Sequence, residues 1–323
     1  MQLSILTLHF VLFVIAIGLL WKGSGWLVES SSRLAHAWGI SDLAIGLTVV
    51  AIGTSAPEFA VTISAVLLGK ADISVSNVVG SNIFNLGFIL GGTACFYAIA
   101  TTPKLVYRDG LFLISVTALL SFFLFDLHIE GDEMALSRKE GAILLTILIC
   151  YMVYLFVKKE NMGEDIDHGK VRWLDFVLLL GGIAGVVGGG HLLVESATHI
   201  AKAFHVSDWV IGVTIVAAGT STPELATSMT ALVKGKHGMA IGNLIGSDLF
   251  NLLGVLGLAG VIKQPLTVSP EAQSSMIMLI GMVTLVVIFM RTKWQISRLQ
   301  GLFLVGVNLV RWFADFMGKS VGM

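Results

Sequence analysis

Two short motifs each occur twice in this sequence, separated by the same 166 residues. The first, Gly-Thr-Ser-x-Pro-Glu, covers residues 53–58 and 219–224 and ends on Glu58 and Glu224. Both copies lie in strongly apolar stretches, where an ionised side chain is costly and is by default a functional-site hypothesis. Two glutamates placed in this way indicate a binding site for a cation.

The first motif is expected to interrupt a helix at both of its positions. Proline has no amide hydrogen, clashes with the preceding turn and moves the residue before it away from helical geometry. Carbonyl groups freed at membrane depth are tolerated only where protein or a wet cavity covers them. We expect neutral oxygen ligands from the freed carbonyls and from the hydroxyl groups of the motif, namely Ala51, Ala217, Thr54, Ser55, Thr220 and Ser221.

The second motif covers residues 80–85 and 246–251 and adds oxygen donors. Ser81 and Asn85 are four residues apart and share one helical face, and Ser247 and Asn251 do the same. Neither motif contains cysteine or histidine, and a set of carboxylate, amide, hydroxyl and carbonyl oxygens suits a hard cation. One Ca²⁺ would neutralise two ionised glutamates; so would two protons and, nearly, two or three Na⁺. One site could therefore hold Ca²⁺ or its counter-ions but not both, which is a physical basis for exchange.

The composition is that of an integral membrane protein. The 323 residues have a mean hydropathy of +0.88 and 13% charged residues, against about 25% in a soluble domain. The net charge of −1 gives no indication of nucleic acid, and Cys95 and Cys150 lie in apolar segments that disfavour a disulfide. A spanning helix needs about 20 mainly apolar residues, and ten segments qualify: 3–21, 41–67, 74–99, 110–127, 140–157, 173–195, 207–233, 239–262, 273–290 and 298–317.

We therefore predict an all-α polytopic membrane protein with ten transmembrane helices in two related halves. Residues 41–91 and 207–257 align without gaps with 24 identities in 51 positions. Since five spans per half is an odd number, the second half should enter the membrane from the opposite side, as in the inverted repeats of secondary transporters. We assign 1–157 to the first five-helix repeat, 158–172 to a cytoplasmic linker and 173–323 to the second, inverted repeat.

The positive charges predict an orientation for this arrangement. Thirteen of the 20 Lys and Arg residues fall on one side of the ten spans and seven on the other. The richer side, which includes the linker, should be cytoplasmic. Both termini are then predicted to lie outside or in the periplasm, with the chain in the cell (inner) membrane.

The duplicated motifs resemble the two alpha-repeats of the calcium/cation antiporter superfamily, and within it those of the prokaryotic sodium/calcium exchangers. The resemblance implies a central four-helix core from the second and third helices of each half, with the first helix of each half packed outside as a long gate. It implies that Glu58 and Glu224 are the acidic ligands of a central Ca²⁺ site. It also implies hydroxyl or carbonyl ligands of flanking Na⁺ sites at Thr54, Ser55, Ser81, Thr220, Ser221 and Ser247, and carbonyl donors at Ala51 and Ala217.

Asn251, with Asn85 as its partner, occupies a position where some members of that superfamily carry Asp. An amide there favours potassium independence and disfavours proton coupling.

The predicted function is a Na⁺/Ca²⁺ antiporter working by alternating access in the lipid bilayer. We expect no cofactor, no enzymatic activity, no binding of nucleic acid and no obligatory protein partner. An H⁺/Ca²⁺ antiporter with the same site is the nearest alternative. A cation channel would conduct without coupling, and an intramembrane enzyme fits poorly because H-E-x-x-H and G-x-S-x-G are both absent.

Several of these residues also have structural interpretations. An intramembrane glutamate can be a helix-packing partner, and Asn85 and Asn251 can join helices by hydrogen bonds. The repeated pair Glu29 and Glu195 lies near span ends and fits a structural role. Asp248, which replaces Asn82 of the first copy, is expected to be a peripheral charge rather than a ligand. Close, sliding helix contacts are expected at Gly181, Gly182, Gly185 and Gly188 to Gly190.

Overall fold

The computed structural model describes residues 2–125, 134–158, 171–205, 217–263, 265–268 and 271–320, and nearly all of them are helical. The first half contains α1 (Gln2–Trp38), α2 (Asp42–Ile45), α3 (Ala51–Thr54), α4 (Ala56–Leu67), α5 (Ala71–Phe84), α6 (Gly91–Phe96), α7 (Leu111–Phe125) and α8 (Arg138–Val157). The second contains α9 (Trp173–Ala203), α10 (Ala217–Gly219), α11 (Thr222–Val233), α12 (His237–Leu249), α13 (Leu256–Ile262), α14 (Glu271–Arg291) and α15 (Arg298–Ser320). Four π-helical segments connect or extend these helices: Gly46–Val50, Asn85–Leu90, Leu105–Gly110 and Phe250–Val255.

Seven helices in the described ranges are long and apolar enough to cross a membrane, or eight if the bent pair Asp42–Thr54 and Ala56–Leu67 is one span. The predicted number of ten stays a prediction. The predicted span 207–233 begins among residues outside the described ranges, and α15 is long enough but is not one of the seven. Most of the predicted linker, 159–170, also lies outside the described residues.

The two first helices are much longer than the sequence indicated. The predicted spans 3–21 and 173–195 become helices that end at Trp38 and Ala203. The first span is predicted to end before Lys22-Gly-Ser-Gly, because glycine weakens a helix. In the structure the Ser24 hydroxyl donates to the Trp21 carbonyl at 3.1 Å and Gly23 packs against α9, so the helix continues through this segment.

Glycines bring α1 and α9 into close contact. A Cβ on Gly182 would lie 2.6 Å from the backbone nitrogen of Leu27, and one on Gly185 would lie 3.0 Å from the Cα of Gly23. Gly189 likewise meets α1, whereas Gly188 has no described atom within 4 Å of its Cβ position. The predicted close contact is therefore confirmed for part of this glycine run. Sliding of the two helices stays a prediction.

The long pair α1 and α9 lies outside a central layer. In Ala71–Phe96 and His237–Ile262, 67% and 78% of the apolar window is buried, compared with 22% in Leu6–Trp38 and 28% in Trp173–Ala203. The broken helix of the first half packs on α12, since a Cβ on Gly246 would lie 2.6 Å from the Leu47 carbonyl. Gly80, the matching glycine, meets no described atom within 4 Å.

Ion pairs tie one end of this outer pair to its neighbours. Arg33 of α1 lies 2.6 Å from Asp175 of α9. Glu29 pairs with Arg33 and with Lys234, the residue that follows α11. The structural role expected for Glu29 is confirmed, and Glu195 is exposed on α9.

The all-α prediction missed two small β-ribbons. Strands β1 (Ile99–Ala100) and β4 (Gln295–Ile296) pair antiparallel, with Ile99 opposite Ile296. Strands β2 (Met134–Leu136) and β3 (Leu266–Val268) pair in the same sense, with Ala135 opposite Thr267. Strands of two or three residues are too short for an alternating pattern to reveal. Each ribbon joins a connection in the first half to one in the second.

The close approach of α1 and α9 predicts how substitutions at two neighbouring glycines differ. Gly182→Ala should lower the melting temperature of the detergent-solubilised protein, because overpacking costs about 1–3 kcal/mol. The matched control, Gly188→Ala, adds the same methyl group where there is room and should leave the melting temperature unchanged or raise it. Equal melting temperatures for the two variants, measured by intrinsic fluorescence, would contradict this packing.

Candidate site of buried carboxylates and amides

The predicted helix breaks are present at both copies of the first motif. Between α3 and α4 the chain bends by 50° at Ser55, whose φ and ψ are −80° and 11°. Ser221, between α10 and α11, has nearly the same values, −88° and 9°. Pro57 and Pro223 lie in the first turn of the following helix, where the missing amide hydrogen is tolerated. The same sequence thus produces the same local geometry twice.

The breaks place Glu58 and Glu224 in the first turns of α4 and α11, and both residues are completely buried. Each carboxylate accepts a hydrogen bond from the other half. The Ser221 hydroxyl donates to Glu58 Oε1 at 3.0 Å, and the Ser55 hydroxyl donates to Glu224 Oε1 at 3.0 Å. The serine of each motif therefore contacts the glutamate of the other motif, which brings the first turns of α4 and α11 together. The second oxygen of each, Oε2, is buried and has no hydrogen-bond partner among the described residues.

Two amide side chains repeat this crosswise pattern. Asn85 Nδ2 donates to Asp248 Oδ1 at 3.0 Å, and Asn251 Nδ2 donates to Asn82 Oδ1 at 3.0 Å. Because the NH₂ groups are held by the opposite half, the amide oxygens are left as acceptors. Asn85 Oδ1 and Asn251 Oδ1 are both buried without a hydrogen-bond partner in the described part of the chain.

The π-helical segments set the direction of these amides. One begins at Asn85 and another at Phe250, next to Asn251. Single π turns inside α-helices are rare and occur frequently at functional sites. The predicted shared face of Ser81 and Asn85 is confirmed, because the Asn85 N–H bonds to the Ser81 carbonyl as in an α-helix and the π turn begins only at Asn85. Ser81 is buried on α5, about one turn before the π-helical segment begins.

The remaining predicted residues differ in their surroundings. The Thr54 hydroxyl contacts Ser247 at 3.4 Å, and Ser247 in turn donates to Glu224 Oε1 at 3.4 Å. Thr220 is half-buried beside Ser221. Ala217 is the first described residue after 206–216, and the role of its carbonyl as a ligand stays a prediction.

The prediction that the break frees the Ala51 carbonyl is wrong. This oxygen accepts the backbone N–H of Ser55 at 3.0 Å and the hydroxyl of Thr54 at 3.3 Å. The helix remains intact through Thr54, so the interruption falls later than the motif indicated. Pro57 cannot donate to the carbonyl four residues earlier, which makes Gly53 the residue whose carbonyl loses its helical partner.

Two asparagines that hydrogen-bond to residues of the site were not predicted from the sequence. Asn243 accepts the Thr54 hydroxyl at 3.1 Å and donates to Ser228 at 3.0 Å. Asn77 donates to Thr62 at 3.0 Å and to the Glu58 carbonyl at 3.4 Å. Asn77 and Asn243 are themselves 166 residues apart, and so are Thr62 and Ser228. The internal alignment contained this signal, but it lies outside the two motifs.

The prediction that Asp248 is a peripheral charge is also wrong. This residue is completely buried, accepts Asn85 through Oδ1, and its Oδ2 has no hydrogen-bond partner among described residues. Its backbone carbonyl on α12 accepts Asn82 Nδ2 at 3.1 Å. Because α12 is packed on all sides, it has no polar face, and the hydropathy pattern could not show whether Asp248 is buried or exposed.

This region contains buried negative charges that no described basic side chain neutralises. Four carboxylates in the described ranges are completely buried. Asp109 is paired with Arg108 at 2.7 Å, whereas Glu58, Glu224 and Asp248 have no Lys or Arg partner among the described residues. The same ranges contain no group of three or more His, Cys, Asp or Glu side chains placed to share a metal. The site instead combines carboxylate, amide and hydroxyl oxygens, the donors that Na⁺ and Ca²⁺ prefer over thiolate or imidazole.

Comparison with known proteins agrees with this chemistry. The family model described as sodium/calcium exchanger protein matches residues 8–157 and 174–311. The sodium/calcium exchanger MaX1 of Methanosarcina acetivorans is 32% identical over 342 residues, covering 93% of this chain and 96% of its own. The inner membrane protein YrbG of Escherichia coli K12 is 31% identical over 307 residues, covering 89% and 90%.

A solved structure extends the likeness to the fold. The sodium-calcium exchanger NCX_Mj, soaked with zero Na⁺ and Ca²⁺, superimposes with a TM-score of 0.82 at 30% sequence identity. The match covers 94% of this chain and 98% of that chain. The chain is therefore an integral membrane protein of the calcium/cation antiporter superfamily and belongs to the sodium/calcium exchanger protein family.

Proposed function

We propose that this protein exchanges Na⁺ for Ca²⁺ across the cell (inner) membrane at the site formed by Glu58 and Glu224. The observation that carries the proposal is the set of four buried acceptor oxygens without hydrogen-bond partners among the described residues: Glu58 Oε2, Glu224 Oε2, Asn85 Oδ1 and Asn251 Oδ1. Buried polar atoms are normally satisfied, so an unpaired group calls for an explanation such as an ion. Four acceptors with no donor among them are suited to a cation.

The crosswise hydrogen bonds explain how the oxygens are held for this task. Ser55 and Ser221 occupy one oxygen of each carboxylate, and the other half of the protein holds the NH₂ group of each amide. Ca²⁺ binds six to eight oxygens in flexible geometry. We assign Glu58, Glu224, Asn85 and Asn251 to the central ion, with Thr54, Ser81, Ser247, Thr220 and the Ala217 carbonyl contributing to flanking Na⁺ sites.

Competition for these oxygens couples the transport of Ca²⁺ to the transport of Na⁺. When Ca²⁺ occupies the space between the glutamates, its charge balances both carboxylates, and Na⁺ cannot use the same oxygens. When Ca²⁺ leaves, the charges of the buried Glu58 and Glu224 carboxylates are uncompensated unless Na⁺ enters. An empty, doubly charged site is therefore unfavourable at membrane depth, and this favours movement of the transporter only when it is loaded.

Movement of α1 and α9 over the central layer gives alternating access in this proposal. Their contact is made by glycines, and small residues allow helices to approach closely in membranes. Both termini lie outside and the 158–172 linker lies in the cytoplasm. The two halves act as inverted repeats that exchange roles.

Proton coupling is the second candidate, and one observation favours it. Each buried glutamate has one oxygen without a hydrogen-bond partner among described residues, which can carry a proton as well as face a cation. Exchange of H⁺ for Ca²⁺ would use the same glutamates, and a pH gradient without Na⁺ would then drive Ca²⁺ uptake.

Neutralising either glutamate should abolish exchange. We expect Glu58→Gln and Glu224→Gln proteoliposomes, loaded with Na⁺ and diluted into Na⁺-free buffer, to take up ⁴⁵Ca²⁺ at the rate of empty liposomes, because Ca²⁺ then keeps only one of the two carboxylates assigned as its ligands. The matched control is Glu195→Gln, an exposed carboxylate on α9, which should retain uptake. Wild-type flux in either site variant would contradict the assignment.

The two serine hydroxyls should contribute equally. Ser55→Ala and Ser221→Ala each remove one hydrogen bond to a buried carboxylate, worth about 1.5–3 kcal/mol. The apparent Ca²⁺ affinity in the uptake assay should therefore fall by roughly tenfold or more in both. Ser76→Ala is the control, because this exposed hydroxyl donates to Ile73 of its own helix. A large loss in one serine variant and none in the other would argue against a site shared by the two halves.

A further inference from the structure

Asp248 gives the site a third negative charge that two glutamates do not explain. It lies on α12 three residues before Asn251, which places the two side chains about one helical turn apart. It is completely buried, and the preceding residue, Ser247, donates to Glu224 Oε1 at 3.4 Å. Asp248 therefore belongs to the same low-dielectric region as the glutamates.

Comparison with Asn82 shows what the carboxylate changes. Asn82 and Asp248 are the matching residues of the two motif copies, and each accepts an amide from the opposite half. Asn82 also donates, through Nδ2, to the Asp248 backbone carbonyl at 3.1 Å. A carboxylate has no N–H to return this bond, and Asp248 Oδ2 is left without a hydrogen-bond partner among described residues. An asparagine here would restore the pattern, so the aspartate is not required for packing.

The charges then determine what else must bind. One Ca²⁺ balances Glu58 and Glu224. Asp248 has no Lys or Arg within ion-pair distance among the described residues, unlike the equally buried Asp109, which is paired with Arg108. Leaving a single carboxylate uncompensated in a low-dielectric interior is strongly unfavourable. A second divalent ion would overshoot by one charge, whereas a monovalent cation would not.

We propose that Asp248 Oδ2 completes a subsite for one alkali cation, Na⁺ or K⁺, that stays occupied while Ca²⁺ is bound between the glutamates. Asn85 connects the subsite to the central ion, because its Nδ2 donates to Asp248 Oδ1 while its own unpaired Oδ1 is assigned to Ca²⁺. This proposal rests on the proposed exchange function. Its K⁺ alternative also tests the expectation, drawn from Asn251 and Asn85, that the protein is independent of potassium.

Direct binding tests the subsite without depending on transport. Purified protein in saturating Ca²⁺, which displaces Na⁺ from the central oxygens, is incubated with ²²Na⁺ or, in a parallel arm, ⁸⁶Rb⁺ as a K⁺ substitute. We expect wild-type protein to retain stoichiometric alkali cation in at least one arm, and the arm identifies which ion is preferred. Asp248→Asn should retain none, and the control Asp72→Asn, which neutralises an exposed aspartate on α5, should behave as wild type.

Exchange of ⁴⁵Ca²⁺ for Ca²⁺ across proteoliposomes gives a second measurement on the unaltered protein. We expect wild-type exchange to be lost when all alkali cations are replaced by N-methylglucamine, and Asp248→Asn exchange to be insensitive to the replacement. Equal ²²Na⁺ and ⁸⁶Rb⁺ binding by wild type and Asp248→Asn, or full wild-type exchange in N-methylglucamine, would overturn the subsite. If wild type exchanges Ca²⁺ but never responds to a Na⁺ gradient, the proposed Na⁺ coupling fails while the binding result still decides the subsite.

Discussion

The structure depends on the burial of carboxylates that no protein cation neutralises. Glu58, Glu224 and Asp248 are completely shielded from solvent, and none of the described Lys or Arg side chains is buried with them. In ordinary proteins buried charges are paired or bind metals. In the proposed mechanism the missing partner is the transported ion. A site that is stable only when loaded would link ion occupancy to every conformational step.

The surrounding architecture keeps these oxygens unpaired. Each half donates hydrogen bonds to one atom of a group on the other half and leaves the second atom free, as Ser55 does for Glu224 and Asn85 does for Asp248. A loss of register between the halves would therefore break the hydrogen bonds of both halves together. The helix breaks and the π-helical segments are the local features that turn these side chains inward.

The two helix breaks could be predicted from the sequence, whereas the depth and packing of individual positions could not. The duplicated proline and glutamate predicted the two breaks, because proline has a physical effect wherever it occurs. The burial of Asp248 was not predictable, because a helix covered on all sides carries no polar face to identify its orientation. Glycine weakens a helix in isolation, and only the structure shows that Gly23 and Gly185 contact each other where α1 and α9 pack together. The short β-ribbons depend on partners in the other half, which a local pattern cannot contain.

Mutual exclusion of the two ions is the central claim, and equilibrium binding of ⁴⁵Ca²⁺ to the purified wild-type protein tests it most directly. With K⁺ held constant, increasing Na⁺ should raise the apparent Kd for Ca²⁺ without changing the number of Ca²⁺ ions bound at saturation. This is the result expected if Glu58 and Glu224 serve both ions in turn. A Kd that does not change with Na⁺ would mean that the ions use separate oxygens, and would contradict the account.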